Sequence, residues 1–324
     1  MNRAEFDPEV YEFYRKSLEG DGFAATFSAA DVEWLRADEI RRHALHTDPY
    51  EVRQKIDVLI PREDADPLPV RLYVPEAVTE AAGPLPVLLY FHGGGFIMGC
   101  VADHDPLCGK LADACQMLVI SVDYRLAPEF PFPACLEDAV CAATWAQEHV
   151  RDYGGDPAKL TAGGDSAGAN ISAALALLGR DGKAPKLSGL LLFYGTFGCI
   201  APEDSASGQR YGQGDYMLPL GTIRAMDGLY VPEGTDPDDD RLRPGRAKDL
   251  RGLPPAISVT AEMDPLRDDG EEFARRLAAA GSPVDCIRMD GMMHGFILYW
   301  QRFHRAKELL EQLGSMTGRW FAER

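Results

Sequence analysis

Ser166 stands in Gly164-Asp165-Ser166-Ala167-Gly168, a Gly-x-Ser-x-Gly pattern between a short strand, 159–162, and an apolar helical stretch, Asn170 to Leu178. A serine hydroxyl becomes a useful nucleophile when a neighbouring base takes its proton. A sharp strand-to-helix turn lifts the hydroxyl above the sheet, where another side chain can reach it. The flanking glycines permit the close backbone approach such a turn needs. A glycine-rich turn, or a phosphate-binding helix N-terminus, would use the same residues. A second motif therefore matters. His92-Gly93-Gly94-Gly95 directly follows an apolar strand, 85–91. Three glycines there leave backbone N–H groups free to face a ligand, as donors to a developing oxyanion must be.

A nucleophilic serine needs a base, and the base needs an orienting acid. In the α/β-hydrolase order the acid and then the histidine follow the serine. Only His294 and His304 lie beyond Ser166. His294 sits in a loop after the last strand, whereas His304 falls inside an amphipathic helix and reads as a surface residue. His92 and His104 precede the serine. Among the acids Asp264 leads, at the end of the strand 256–260, where doubly wound folds place their sites. Glu262 is its closest rival. Asp268 and Asp269 suit the capping of the next helix, and Asp290 lies too near His294 to come from another strand.

The elements that must position these residues are legible in the hydropathy. Residues 4–46 read as two helices, the second carrying Val32, Leu35 and Ile40 behind Ser28 and Asp31. Alternation at 56–60 and 70–74 suggests an early hairpin. Continuous apolar runs follow at 85–91, 117–122, 187–194 and 256–259, as central parallel strands covered on both faces require. Helical stretches separate them at about 104–115, 136–150, 167–180 and 268–280. A last strand, 284–289, and a last helix, 295–321, complete a doubly wound, mostly parallel sheet of eight strands. Residues 195–252 interrupt this rhythm, with one helix expected at 219–229. Insertions of that length inside a compact domain are usually lids. We expect a single domain whose cap comprises about 1–50 and 196–250, over a core of about 51–195 and 251–324.

Composition narrows the function. The chain has 324 residues, 46% apolar, with 51 acidic and 33 basic side chains and a net charge of −18. No Lys/Arg run offers a nucleic-acid footprint, and the acidity disfavours anionic membranes. The acidic run Asp236, Asp238, Asp239 and Asp240 lacks the ordered spacing of a cation site and suits an exposed loop. Seven cysteines, an odd number without a Cys-x-x-Cys pair, fit a reducing compartment. The N-terminus has no apolar signal core, and no stretch reaches membrane-spanning length. The expectation is a cytoplasmic protein with no membrane or nucleic-acid partner.

The motifs together resemble the hormone-sensitive-lipase family of esterases. The resemblance rests on His92-Gly93-Gly94-Gly95-Phe96, Asp123-Tyr124-Arg125-Leu126-Ala127-Pro128-Glu129, Gly164-Asp165-Ser166-Ala167-Gly168, Asp264-Pro265-Leu266 and His294-Gly295-Phe296. Asp165 places it in the Gly-Asp-Ser-Ala-Gly subgroup, similar to bacterial acetyl esterases. The motifs run in order over about 50–313, and 196–250 is the least matched part. The resemblance implies that Ser166 attacks an ester carbonyl, that His294 takes its proton, and that Asp264 fixes the imidazole. It implies an oxyanion hole from the N–H groups of Gly94, Gly95 and Ala167. His92, Gly93, Gly164, Asp165 and Gly168 would be scaffold. No metal or cofactor would be needed. A short-chain ester, about two to six acyl carbons, would be the substrate, and a homodimer through the last strand and helix is compatible. An amidase, a lactonase or another acyl hydrolase would use the same triad. Receptors of this fold have lost the catalytic histidine, which His294 argues against.

Overall fold

The computed structural model describes residues 5–18, 26–62, 65–77 and 83–322. Two helices, α1 (Pro8–Leu18) and α2 (Val32–His46), precede a hairpin of β1 (Gln54–Arg62) and β2 (Ala65–Val74). Then come β3 (Leu85–Phe91), α3 (Asp105–Cys115), β4 (Leu118–Val122), α4 (Ala134–His149), β5 (Gly155–Asp165), α5 (Ala167–Arg180) and β6 (Leu190–Phe193). The long connection carries α6 (Ala206–Tyr211) and α7 (Leu220–Tyr230). It leads to β7 (Ala256–Met263), α8 (Arg267–Ala279), β8 (Val284–Met293) and α9 (His304–Ala322).

The strands form one eight-stranded sheet, ordered β1-β2-β4-β3-β5-β6-β7-β8. β2 is antiparallel to both its neighbours; all other pairings are parallel. The central strands are buried on both faces. Val87, Leu89 and Phe91 of β3 face α4 and α5, while Leu88 and Tyr90 face α3 and α9. Such two-sided burial leaves no place for polar alternation, so these strands read as unbroken apolar runs. Their C-terminal ends lie along one edge, with Phe91 beside Gly164, Asp165 beside Phe193, and Met263 beside Met293.

The expected helices and strands are present, with shifts that have physical reasons. β6 spans Leu190–Phe193, shorter than the apolar run, although Ser188 and Gly189 still bond β5 through the Leu160 carbonyl and the Ala162 N–H. β5 is longer than 159–162, extended by the pairing of Gly155 with Leu85. The last helix starts at His304 rather than 295, after a separate short turn at Phe296–Tyr299. Gln301 and Arg302, in the gap, bond the exit of α2 instead: Gln301 donates to the Asp48 carbonyl at 2.8 Å and Arg302 to the His46 carbonyl at 2.8 Å. In α2, Val32 and Leu35 are buried as expected, but Ile40 is 49% exposed while His43 is buried. The inner face of that helix is therefore polar over its second half. Residue 4 and part of the link between the first two helices, 19–25, lie outside the described residues.

Asp269 is a correction. Its carboxylate does not cap α8; it accepts from the backbone N–H groups of Phe197, Gly198 and Ile200 at 2.6, 3.0 and 3.0 Å. Asp268 likewise accepts from the N–H of Ser207 at 2.9 Å. Both acids thus hold the chain that leaves β6. Because Asp269 is buried, Asp269→Ala strands three amide donors. The expected loss is about 1–3 kcal/mol, read as a lower urea midpoint with unchanged slope.

Candidate active site

Ser166 sits between β5 and α5 with φ 52° and ψ −115°. That conformation costs on the order of 1–3 kcal/mol for a residue with a side chain and persists only where surroundings enforce it. Here the turn is pressed onto the end of β3. A Cβ on Gly164 or Gly168 would collide with the Phe91 carbonyl oxygen. The Ser166 N–H is tied to the Phe193 carbonyl at 2.9 Å.

Asp264 and His294 follow β7 and β8, which pair up to Met263 and Met293, so the two side chains arrive together. Asp264 is fully buried. Its Oδ2 lies 2.7 Å from His294 Nδ1, and its Oδ1 accepts from the Leu266 N–H at 2.8 Å. His294 Nε2 lies 3.0 Å from Ser166 Oγ. A carboxylate only accepts, so Nδ1 carries the proton and Nε2 is left to accept from the serine hydroxyl. The rival Glu262 is engaged elsewhere: its carboxylate accepts from the Gly291 N–H at 2.7 Å. Asp290 is exposed, and its carbonyl accepts from Arg305. His304 is 72% exposed and pairs with Glu308 on α9.

Gly94, Gly95 and Ala167 line the same cavity as Ser166 and His294. Gly94 and Gly95 have φ of 106° and 61°, and the Gly94 carbonyl accepts from Ile97 and Met98 at 3.1 and 3.0 Å, turning the loop back. The N–H of Gly93 is already spent on Asp165 Oδ1 at 2.9 Å. Asp165 is the buried anchor of this loop. The same oxygen accepts from the Tyr90 hydroxyl at 2.8 Å and lies 3.2 Å from His104 Nε2. The geometry with His104 is that of an ion-pair approach, without an aligned hydrogen bond. Burial opposes a charge on either group, yet their mutual attraction wins, raising the His104 pKa and lowering that of Asp165. His104, which precedes the serine and carried no expected role, is therefore part of the support.

His92 is scaffold in geometry as well. It is fully buried, its ring stacks on Tyr124 at 4.2 Å between centroids, and its carbonyl accepts from the Tyr124 hydroxyl at 2.7 Å. The next motif residue, Arg125, grips the buried Asp138 at 2.9 Å. Sequence reasoning did not single out Arg36 of α2. It donates to the carbonyls of Ile97 and Ala127 at 2.8 and 2.9 Å and forks onto Glu129 at 2.9 and 2.7 Å. An arginine on the inner face of α2, opposite the glutamate of the 123–129 motif, was the available signal.

Above Ser166 lies a cavity of about 120 Å³. Glu39 and His43 of α2, Met217 and Leu218 of the β6–β7 connection, Ile223 of α7 and Leu298 are among its walls. Among the described residues no cluster of His, Cys, Asp or Glu could hold a metal ion, and no helix is long and apolar enough to cross a membrane.

A strained serine between strand and helix, with histidine and aspartate at the ends of the last two strands, defines a serine hydrolase of doubly wound α/β type. Residues 88–298 match a family model described as alpha/beta hydrolase fold, and the chain belongs to that family. Carboxylesterase NlhH of Mycobacterium tuberculosis is 41% identical over 286 residues, covering 86% of each chain. An arylesterase of Saccharolobus solfataricus is 35% identical, covering 90% of this chain and 92% of its own. Among solved structures, the hyperthermophilic esterase from the archaeon Pyrobaculum calidifontis matches with a TM-score of 0.86 at 31% identity, over 96% of this chain and 97% of its own. The resemblance to the hormone-sensitive-lipase esterases holds, and the enzyme class is that of the serine carboxylester hydrolases.

Two outcomes follow from this geometry. Gly94→Ala forces a Cβ onto a φ of 106° and against the Met98 carbonyl, which displaces the loop. A fall in kcat of about 10²–10³-fold is expected, with thermal midpoint measured alongside. Separately, burial, with His104 next, pushes the His92 pKa from 6.5 to about 3. A folded pKa below the unfolded one means the unfolded chain takes up the proton first as pH falls. Stability is therefore withdrawn below pH 6.5 and continues to fall toward about 3. His92→Gln should lose less stability than wild type between about pH 7 and pH 5, measured by urea midpoints; an equal loss would mean His92 is protonated in the fold.

Proposed function

We propose that this enzyme hydrolyses short-chain carboxylic esters through a triad of Ser166, His294 and Asp264. The observation that carries the reading is His294, which bridges Ser166 Oγ at 3.0 Å and Asp264 Oδ2 at 2.7 Å. As Ser166 Oγ bonds to the ester carbonyl carbon, its proton passes to His294 Nε2. The carbonyl electrons move onto oxygen, and the N–H groups of Gly94, Gly95 and Ala167 hold that oxyanion. Collapse breaks the bond to the alcohol, which leaves with the proton from Nε2. Water then repeats the sequence on the acyl-serine, with His294 as base, releasing the acid and restoring Ser166. Asp264 holds the reactive tautomer and stabilises the imidazolium.

The acyl preference rests on the cavity. Met98, Met217, Leu218, Met226 and Leu298 line it together with Ser166, and about 120 Å³ is small beside the several hundred of pockets for large ligands. We assign α1, α2 and the β6–β7 connection to a cap over the core. The relatives' names, a carboxylesterase and an arylesterase, support an ester over an amide. A cytoplasmic setting is supported by seven free thiols, and a homodimer by β8, which is an edge strand of the sheet.

Turnover of p-nitrophenyl esters across acyl lengths tests this. Activity should peak at about two to six carbons and fall by more than about 10⁴-fold in Ser166→Ala. Asp264→Asn should lose about 10⁴-fold through the wrong tautomer. Near-wild-type rates in Ser166→Ala, or faster turnover of the matched anilides, would sink the proposal.

A further inference from the structure

Besides its Ser166, His294 and Asp165 end and the side chains of Thr196 and Asp227, the cavity has a polar wall on α2. Met98, Met217, Leu218, Ile223, Met226 and Leu298 make it apolar on most sides, but α2 contributes Glu39, Arg42 and His43. Glu39 and His43 are one helical turn apart and share a face. Glu39 Oε2 and His43 Nδ1 are both buried, and neither has a hydrogen-bond partner among the described residues. Arg42 is engaged with Asp38 at 2.9 Å. Both residues line the cavity, and an orphaned polar atom on each is costly to keep unless a group bound there pairs with it.

The chemistry of these atoms narrows what that is. Burial, and Asp103 next, pushes the Glu39 carboxyl up to about 7, so it accepts or donates near neutral pH. Burial, and His104 next, holds His43 neutral. An ammonium group would have to shed its hydration beside the Arg42 guanidinium. An alkyl end would leave both atoms unpaired. A hydroxyl is neutral, donates once and accepts twice, and so can satisfy either atom or both. We infer that Glu39 and His43 form a hydroxyl-binding subsite that makes this enzyme select esters carrying a hydroxyl group on the acyl or the alcohol chain. The inference rests on the reading of Ser166 as the nucleophile.

The test uses matched pairs in which a hydroxyl replaces a terminal methyl. On the acyl side, the p-nitrophenyl esters of omega-hydroxyhexanoic and heptanoic acid are compared; on the alcohol side, hydroxybutyl acetate and pentyl acetate. Wild type should favour the hydroxylated member of one pair by roughly tenfold in kcat/KM, and the pair that responds identifies the chain that reaches α2. Glu39→Leu should bring that ratio to about one or below, and Glu39→Gln, which keeps shape and hydrogen bonding, should retain part of it. No preference in either pair, with the alkyl esters hydrolysed, would overturn the subsite and leave the esterase reading intact. A preference that survives Glu39→Leu would overturn it too. No turnover of any of the four esters would overturn both.

Discussion

The close approach of the β5–α5 turn to the end of β3 is the constraint on which the site depends. Ser166 holds φ 52° in a turn whose Gly164 and Gly168, two residues to either side of it, have no Cβ to keep it off β3. Gly164 and Gly168 both press on the Phe91 carbonyl. That contact also fixes where β3 ends, and so where the triple-glycine loop begins. The nucleophile and the N–H groups proposed to hold the oxyanion are thus set by one backbone contact, with no long lever between them.

A buried charge completes what the backbone begins. Asp165 precedes Ser166 and reaches back to the N–H of Gly93, the hydroxyl of Tyr90 and the imidazole of His104. One carboxylate thereby ties β5, β3 and the start of α3 together beneath the loop. A lone buried carboxylate would be expensive. Here His104 lies 3.2 Å away, its pKa raised, against the opposing effect of burial, by the carboxylate, and two further donors fill lone pairs. Tyr124 braces the start of the same loop through the His92 carbonyl, and Arg125 beside it is anchored on Asp138 of α4.

The outer layer is joined to this centre through polar groups. Arg36 clamps α2 to the carbonyls of Ile97 and Ala127 and to Glu129. Asp269 and Asp268 hold the chain between β6 and α6. The Arg36 contacts hold the α2 wall of the cavity, to which Glu39 and His43 belong, on the loop that follows β3.

The sequence by itself determined the central sheet, because burial on both faces leaves only apolar residues in the strands. It determined the positions of Ser166, His294 and the triple glycine, because a turn pressed against backbone, a loop of free N–H groups and a chain-order rule each restrict residue type. It left the acid open between Asp264 and Glu262, one strand end offering both. In the folded chain Asp264 turns to His294 and Glu262 to the Gly291 amide, which is the ground for proposing Asp264. Only the tertiary structure decided the role of Asp269, which local reasoning gave to a helix cap 72 residues from the amide it holds. The polar inner face of α2 lay equally out of reach, since helical periodicity reports where apolar residues recur and not which face meets a cavity. Strand content is a local consequence of burial; partner choice among charged side chains depends on distances that the folded chain alone sets.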